Sequence, residues 1–224
     1  MKTFAVGDIH GRIEALMEVL EASSFDYDND KLIVLGDIAD GGYNTYEVVE
    51  ELLKIKNLIF ILGNHDEWFI NHIRTGWSGE IWTTQGGKNT INSYKENNMN
   101  IPVTHQDFFN RAVFYYIERQ MLFVHGGYDP HLPMQAQQKE YLLWDRSLIE
   151  RFRNGLKCEF HKVFIGHTTT QFYGRDVPIG LYSGDSILWM LDTGAGWNGK
   201  LTIMNIDTEE YWQSGLQEPA VRND

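Results

Sequence analysis

Five short polar motifs hold the residues best suited to chemistry. They are Gly7-Asp8-Ile9-His10-Gly11, Gly36-Asp37-Ile38-Ala39-Asp40, Gly63-Asn64-His65-Asp66, His125-Gly126-Gly127 and Gly166-His167-Thr168. Each follows an apolar run. Carboxylate, amide and imidazole are ligands for hard or borderline divalent metals. One such motif would signify a turn; five at the ends of five expected strands point to one convergent site for two metal ions.

Ligands at the carboxyl ends of strands in an open α/β sheet can meet above one sheet edge. From the residues alone, Asp8 and His10 grip one ion together with His167, and Asn64 and His125 face the other. Asp37, with two carboxylate oxygens, can bridge both. Two ions so placed would activate a water and stabilise an in-line phosphoryl displacement. The mixed oxygen and nitrogen set suits Mn²⁺, Fe or Zn²⁺ better than Ca²⁺. His65, beside Asn64, is expected to point away from the ions and serve as general acid, with Asp40 orienting its imidazole. Asp8, Asp37, Asp40 and Asp66 together would line the site, so bound cations would offset part of the net charge of −12.

The elements that must carry these residues are legible in the pattern. Strands are expected at 3–6, 31–35 and 58–62, with helices at 12–21 and 46–55 between them; this β-α-β-α-β order implies an α/β fold with right-handed crossovers. A helix at 66–74, a Gly- and Trp-rich loop at 77–87 and short helices at 88–97 and 105–110 follow. Strands return at 113–117, 121–124, 163–165, 186–191 and 201–206, and 142–152 contains a helix. The chain of 224 residues reads as a single domain over 1–216, with about 72–112 a helical and loop cap and 217–224 a polar tail.

The acidic balance excludes a large non-specific nucleic-acid footprint, which needs a basic surface. No apolar run approaches the length of a membrane span. Residues 1–6 run straight into the first strand, leaving no room for a signal peptide, and Cys158 is the only cysteine, so a cytoplasmic location is expected. His72, His105, His131 and His161 match no ligand spacing and are expected at the surface or in packing. Trp68, Trp77 and Trp82 either shape a substrate rim or anchor the core.

The motifs resemble those of the metallophosphoesterases and, within them, the phosphoprotein phosphatases: GDxHG, GDxxDRG, GNHE/D, H(A/G)G and GH, in this order. Leu143-Trp144-Asp145-Arg146 and Leu191-Asp192-Thr193-Gly194-Ala195 are similar to segments of the bacterial and phage, lambda phosphatase-like branch. The resemblance spans residues 3–206. It implies a calcineurin-like sandwich of two mixed β-sheets flanked by helices. It moves His167 to the second ion with Asn64 and His125, leaving Asp8 and His10 on the first and Asp37 between. It makes His65 and Asp40 an acid dyad, and gives Arg146, with Asn64, the substrate phosphate. One position departs: the arginine of GDxxDRG is Gly41 here, and Arg12 is the candidate substitute. A non-catalytic scaffold would show eroded ligands; all are present. The implied activity is that of a two-metal serine/threonine phosphatase acting on a phosphorylated protein, with hydrolysis of dinucleoside polyphosphates or another small phosphoester as the alternative.

Overall fold

A strand that is apolar at every position must be covered on both faces, and these strands are. In β1 (Thr3–Val6) Phe4 and Val6 turn towards a helical layer while Ala5 turns the other way. The computed structural model describes residues 1–97 and 100–218. After β1 come α1 (Ile13–Ala22), β2 (Lys31–Val34), α2 (Thr45–Leu52) and β3 (Asn57–Phe60), and β1, β2 and β3 pair in parallel. The helices α3 (Asn64–Thr75), α4 (Glu80–Trp82), α5 (Lys88–Glu96) and α6 (Val103–Asn110) follow. The second half supplies β4 (Tyr115–Glu118), β5 (Met121–Val124), α7 (Lys139–Trp144), α8 (Ser147–Arg153), β6 (Lys162–Ile165), β7 (Ile179–Ser183), β8 (Ser186–Met190), β9 (Thr202–Asn205) and β10 (Tyr211–Gln213).

Two mixed sheets result, ordered β10-β9-β1-β2-β3 and β4-β5-β6-β8-β7. Ala5, Ile33, Leu35 and Met204 of the first meet Met121, Phe123, Phe164 and Leu191 of the second in a shared core. A second apolar cluster joins the outer face of the first sheet to α1, α2, α3 and the segment from Trp82 to Phe109; a third joins the other sheet to α7 and α8. The expected α/β sandwich of two mixed sheets flanked by helices is what forms. Because β1, β2 and β3 run one way in their sheet, and β5 and β6 do so in theirs, the carboxyl ends that carry the five motifs gather at one edge.

Three details differ from the sequence pattern. The single helix expected within 142–152 is broken: Asp145 is extended, and its carboxylate accepts hydrogen bonds from the backbone N–H groups of Ser147 and Leu148 (3.1 and 3.0 Å), so it caps α8 and ends α7. The expected loop at 77–87 instead contains α4 and a wide turn over Thr83–Gly87. The edge strands β7 and β10 lack an alternating pattern, although Gly184-Asp185, between the paired Ser183 and Ser186, is a two-residue hairpin turn. The polar tail expected at 217–224 lies outside the described residues beyond Glu218. Among the described residues no helix is long and apolar enough to cross a membrane.

Candidate metal centre

The backbone itself is bent to aim the site. His10, Asp37, Asp40 and His167 are four of the non-glycine residues with positive φ, at 50, 49, 71 and 60°. Such conformations cost about 1–3 kcal/mol each and survive where the surroundings enforce them. Gly36, with φ of 104°, leaves room for His125: a Cβ there would lie 2.5 Å from its Nδ1. Two buried carboxylates staple the loops together. Asp66 accepts from Gly63 N–H (3.0 Å), Ile38 N–H (2.9 Å) and Ala39 N–H (3.1 Å). Asp8 accepts from His167 N–H at 3.0 Å, joining the first sheet to the second.

Asp37 stands at the centre. Its Oδ1 accepts from the His65 N–H at the start of α3 (3.0 Å). Its Oδ2 lies 3.7 Å from His10 Nε2 and 3.4 Å from His125 Nε2. Burial alone would raise its pKa, but His125 and His65 outweigh burial and hold it far below the ordinary carboxylate range. The Nδ1–H of His10 donates to Ala39 O (3.0 Å) and that of His125 to Leu35 O (2.7 Å), which turns both Nε2 atoms inward. Ligand atoms of His10, Asp37 and His65 lie within 4.8 Å of one another, as do those of Asp37, His125 and His167. The two groups share Asp37.

These residues fit a pair of divalent cations. The buried His167 Nε2 has no hydrogen-bond partner among the described residues. Burial lowers His10 to about 4 and, with help from His125 and Arg146, lowers His167 to about 2, so both imidazoles present lone pairs at neutral pH. His125 Nε2 faces two acceptors, Asn64 Oδ1 at 2.9 Å and Asp37 Oδ2, and so must carry a proton or meet a cation. Burial and Asp192 push Asp8 well above the ordinary range, a sign of negative charge awaiting a counterion.

The geometry corrects part of the unaided reading. His167 lies beside His125, ring centroids 5.0 Å apart, instead of joining His10. The cause is topological: β5 and β6 are parallel neighbours in the second sheet, whereas His10 follows β1 in the first. Asp8, expected as a ligand, lies outside both groups, its carboxylate turned to the His167 N–H, and His65, expected to point away, lies within the first; Asp40 and Asp66 are also outside. Asp66 is a loop staple, and the signal for it was available, since a carboxylate at the third residue of a helix closes a capping box.

Asp40 pairs with His65. The His65 Nδ1–H donates to Asp40 Oδ2 at 2.7 Å. Burial opposes the charged imidazole, yet Asp37 and Asp40 together raise its pKa above the ordinary histidine value. The cap supplies the rest of this arrangement, which sequence reasoning missed. Trp82 Nε1–H donates to both Asp40 oxygens (3.0 and 2.9 Å), and Thr90 Oγ1–H donates to Oδ1 (2.8 Å). Asn89 donates to Gly41 O (2.6 Å). Of the three tryptophans left open between rim and packing, Trp82 is fully buried.

The two arginines differ. Arg146 is exposed at the mouth, where Nη1–H donates to His167 O and Thr168 Oγ1, both at 3.1 Å. Arg12 uses Nε to reach Ala195 O (3.1 Å) and an Nη to reach Glu218 O (2.9 Å), so two edges of its guanidinium brace backbone. His72 and His105 serve in packing: His105 is fully buried and bonded to Tyr94 and Glu50.

Comparison with known proteins agrees with this geometry. The family model of calcineurin-like phosphoesterases matches residues 1–178. A symmetrical bis(5′-nucleosyl)-tetraphosphatase of Pseudomonas fluorescens is 22% identical over 98% of this chain and 96% of its own. An enzyme of the same name from Coxiella burnetii is 35% identical over 30% of this chain and 23% of its own. Among solved structures, a provisionally named diadenosine tetraphosphatase has a TM-score of 0.68 at 19% identity, covering 99% of this chain and 95% of that one. A metallophosphoesterase from Sphaerobacter thermophilus has a TM-score of 0.61 at 16% identity, covering 97% and 90%. Both structural likenesses establish the fold. The curated relatives bear the tetraphosphatase name, not that of the phosphoprotein phosphatases whose motifs the chain resembles.

Two outcomes follow from the site. In the metal-free site the Asp37 charge, against the opposing effect of burial, raises His125 to about 10, so at pH 7.5 its proton must leave when a cation takes Nε2. Calorimetric Mn²⁺ titration in buffers of different ionisation enthalpy should show release of at least about one proton per chain, and affinity should rise with pH; no release would contradict the ligand assignment. Trp82→Phe removes the donor shared by both Asp40 oxygens. It should lower kcat on alkyl phosphates about tenfold with Mn²⁺ affinity unchanged; equal losses in metal affinity and kcat would place Trp82 in general packing instead.

Proposed function

The chain belongs to the calcineurin-like phosphoesterases, and from that premise we propose that it hydrolyses dinucleoside polyphosphates, splitting a bis(5′-nucleosyl) tetraphosphate into two nucleoside diphosphates. It is a metal-dependent phosphoric ester hydrolase. The observation that carries the substrate is the relation to the Pseudomonas fluorescens tetraphosphatase, which runs over 98% of this chain and so takes in the cap as well as the motifs. The serine/threonine phosphatase reading of the motifs has less support, because its GDxxDRG arginine is Gly41. That glycine has φ of 71°, and a Cβ on it would lie 3.0 Å from His10 Cβ and 3.1 Å from Gly196 O.

Two divalent ions, manganese by our reading of the ligands, would be held by Asp8 and His10 on one side and Asn64, His125 and His167 on the other with Asp37 between, supplying Lewis-acid polarisation and an activated water. The remaining steps belong to the chain. Arg146 and Asn64 orient the phosphate under attack. His65, its Nδ1 fixed by Asp40, gives the proton on its other nitrogen to the departing oxygen. A nucleoside diphosphate leaves far more easily than an alcohol, since its terminal phosphate has a pKa of about 6, so the acid is less critical for a polyphosphate than for phosphoserine. The single cysteine favours a cytoplasmic location.

The reading is tested by rates on diadenosine tetraphosphate, a phosphoserine peptide and a nucleoside monophosphate, measured side by side with the Mn²⁺-loaded chain. The tetraphosphate should have the highest kcat/KM and yield two molecules of ADP. His65→Asn should cost at least about tenfold more on the phosphopeptide than on the tetraphosphate. A phosphopeptide that outruns the tetraphosphate would restore the protein phosphatase reading.

A further inference from the structure

The acid side of the site fixes where the leaving group lies, and two tryptophans wall that side. Trp68 follows His65 by one turn of α3, and its ring stands edge-on to the imidazole, centroids 5.0 Å apart at 76°. Trp144, the last residue of α7, lies 5.4 Å from Trp68 and 5.7 Å from His167. Its side chain is 40% exposed. The indole pair therefore spans from the proton donor to a metal ligand.

Beyond Trp68 the surface opens into a groove of about 340 Å³ along α3, lined by Trp68, Asn71, Arg74 and, from the start of α7, Lys139. Trp68 and Arg74 are six residues apart, about 9 Å along a helix, a span that suits a nucleoside. Lys139 pairs with Glu67 and Arg74 with Asn110 at its rim. With Glu67 and Ile70 completing the lining, the groove offers indole surface next to His65, an amide, one cation paired with a carboxylate (Lys139) and one, Arg74, held by an amide oxygen. Its walls are helices, so it presents no strand edge to a peptide main chain. In a chain of net charge −12, cations beside the departing oxygen are suited to an anion.

We infer that this groove seats the leaving group as a nucleoside diphosphate, its base against Trp68 and Trp144 and its phosphates between His65 and Lys139. The inference rests on the dinucleoside polyphosphate reading, since a phosphoserine peptide or a nucleoside monophosphate has no leaving group with both a base and phosphates. Stacking on an aromatic face is sequence-tolerant, so the groove would accept any nucleobase, with Trp68 and Trp144 acting as specificity determinants and not as catalytic residues.

The test is direct binding to the Mn²⁺-loaded full chain, followed by calorimetry and tryptophan fluorescence, with ADP and base-free pyrophosphate as probes. ADP should bind at least about tenfold more tightly than pyrophosphate. Trp68→Leu should weaken ADP about tenfold and pyrophosphate less than twofold, while Trp68→Phe keeps most of the ADP affinity. Should Trp68→Leu fail to fold, as its melting curve would show, Trp144→Leu makes the same test at an exposed position, with the same expected loss. Equal affinities for ADP and pyrophosphate in the native chain, or unchanged ADP affinity in a folded leucine variant, would overturn the groove assignment. Turnover plays no part in this readout, so a chain that binds ADP here yet leaves diadenosine tetraphosphate uncut would overturn the proposed reaction and not the groove.

Discussion

Burial of the Asp37 carboxylate is the constraint on which the rest of the site depends. An uncompensated charge in a protein interior costs several kcal/mol, and Asp37 is almost wholly enclosed. Compensation comes from the first turn of α3, whose His65 N–H binds Oδ1, and from imidazoles facing Oδ2. Those imidazoles arise on different sheets: His10 after β1, His125 after β5. The carboxylate can therefore be satisfied only when the two sheets are stacked with their parallel ends together, which is the arrangement that the shared core of Ile33, Phe123 and Phe164 enforces. Fold and site are two expressions of one requirement.

The same requirement explains why so much strain collects at one edge. His10, Asp37, Asp40 and His167 occupy left-handed backbone that β-strand residues a few positions earlier would never visit. Each strained turn is held by a neighbour's carboxylate or carbonyl: Asp66 binds the loop after Asp37, Asp8 binds the His167 amide, and Ala39 O and Leu35 O fix the rings of His10 and His125. Within this brace the buried His167 Nε2 is left without a hydrogen-bond partner among the described residues. A site braced in this way is preorganised for cations before any cation arrives.

Much of this was legible in the sequence because strand periodicity and motif chemistry are local. β1 and β5 match their expected bounds, and all six expected metal ligands lie at the motif edge. What escaped is what three-dimensional neighbourhood decides. Whether His167 sits with His10 or His125 depends on which strands are adjacent, which no spacing records. Trp82, Thr90 and Asn89 reach Asp40 and Gly41 from about fifty residues away in the chain, the first from an expected Gly- and Trp-rich loop and the other two from an expected short helix, and neither pattern records what the segment packs against. The edge strands β7 and β10 escaped because partial exposure mixes polar residues into them, and Asp145 breaks a helix that apolar periodicity alone would continue.

Gly41 shows how the segment from Trp82 to Thr90 is seated against the site. In the sequence it is an arginine lost from a motif. In the structure it is the surface on which the cap rests: Gly86, itself at φ of 107°, lies so close that a Cβ on it would collide with Gly41 N, and Asn89 holds the Gly41 carbonyl. An arginine at 41 would have to adopt a left-handed backbone, which costs about 1–2 kcal/mol, and would crowd His10 and the 194–199 turn. Docking the cap against Gly41 also brings Trp82 and Thr90 onto Asp40. A side chain at 41 would thus meet His10 and Gly196, while the segment that holds Asp40 rests on the Gly41 backbone. On the opposite wall Arg146 projects from the break between α7 and α8, its guanidinium held by Thr168 at the mouth of the site.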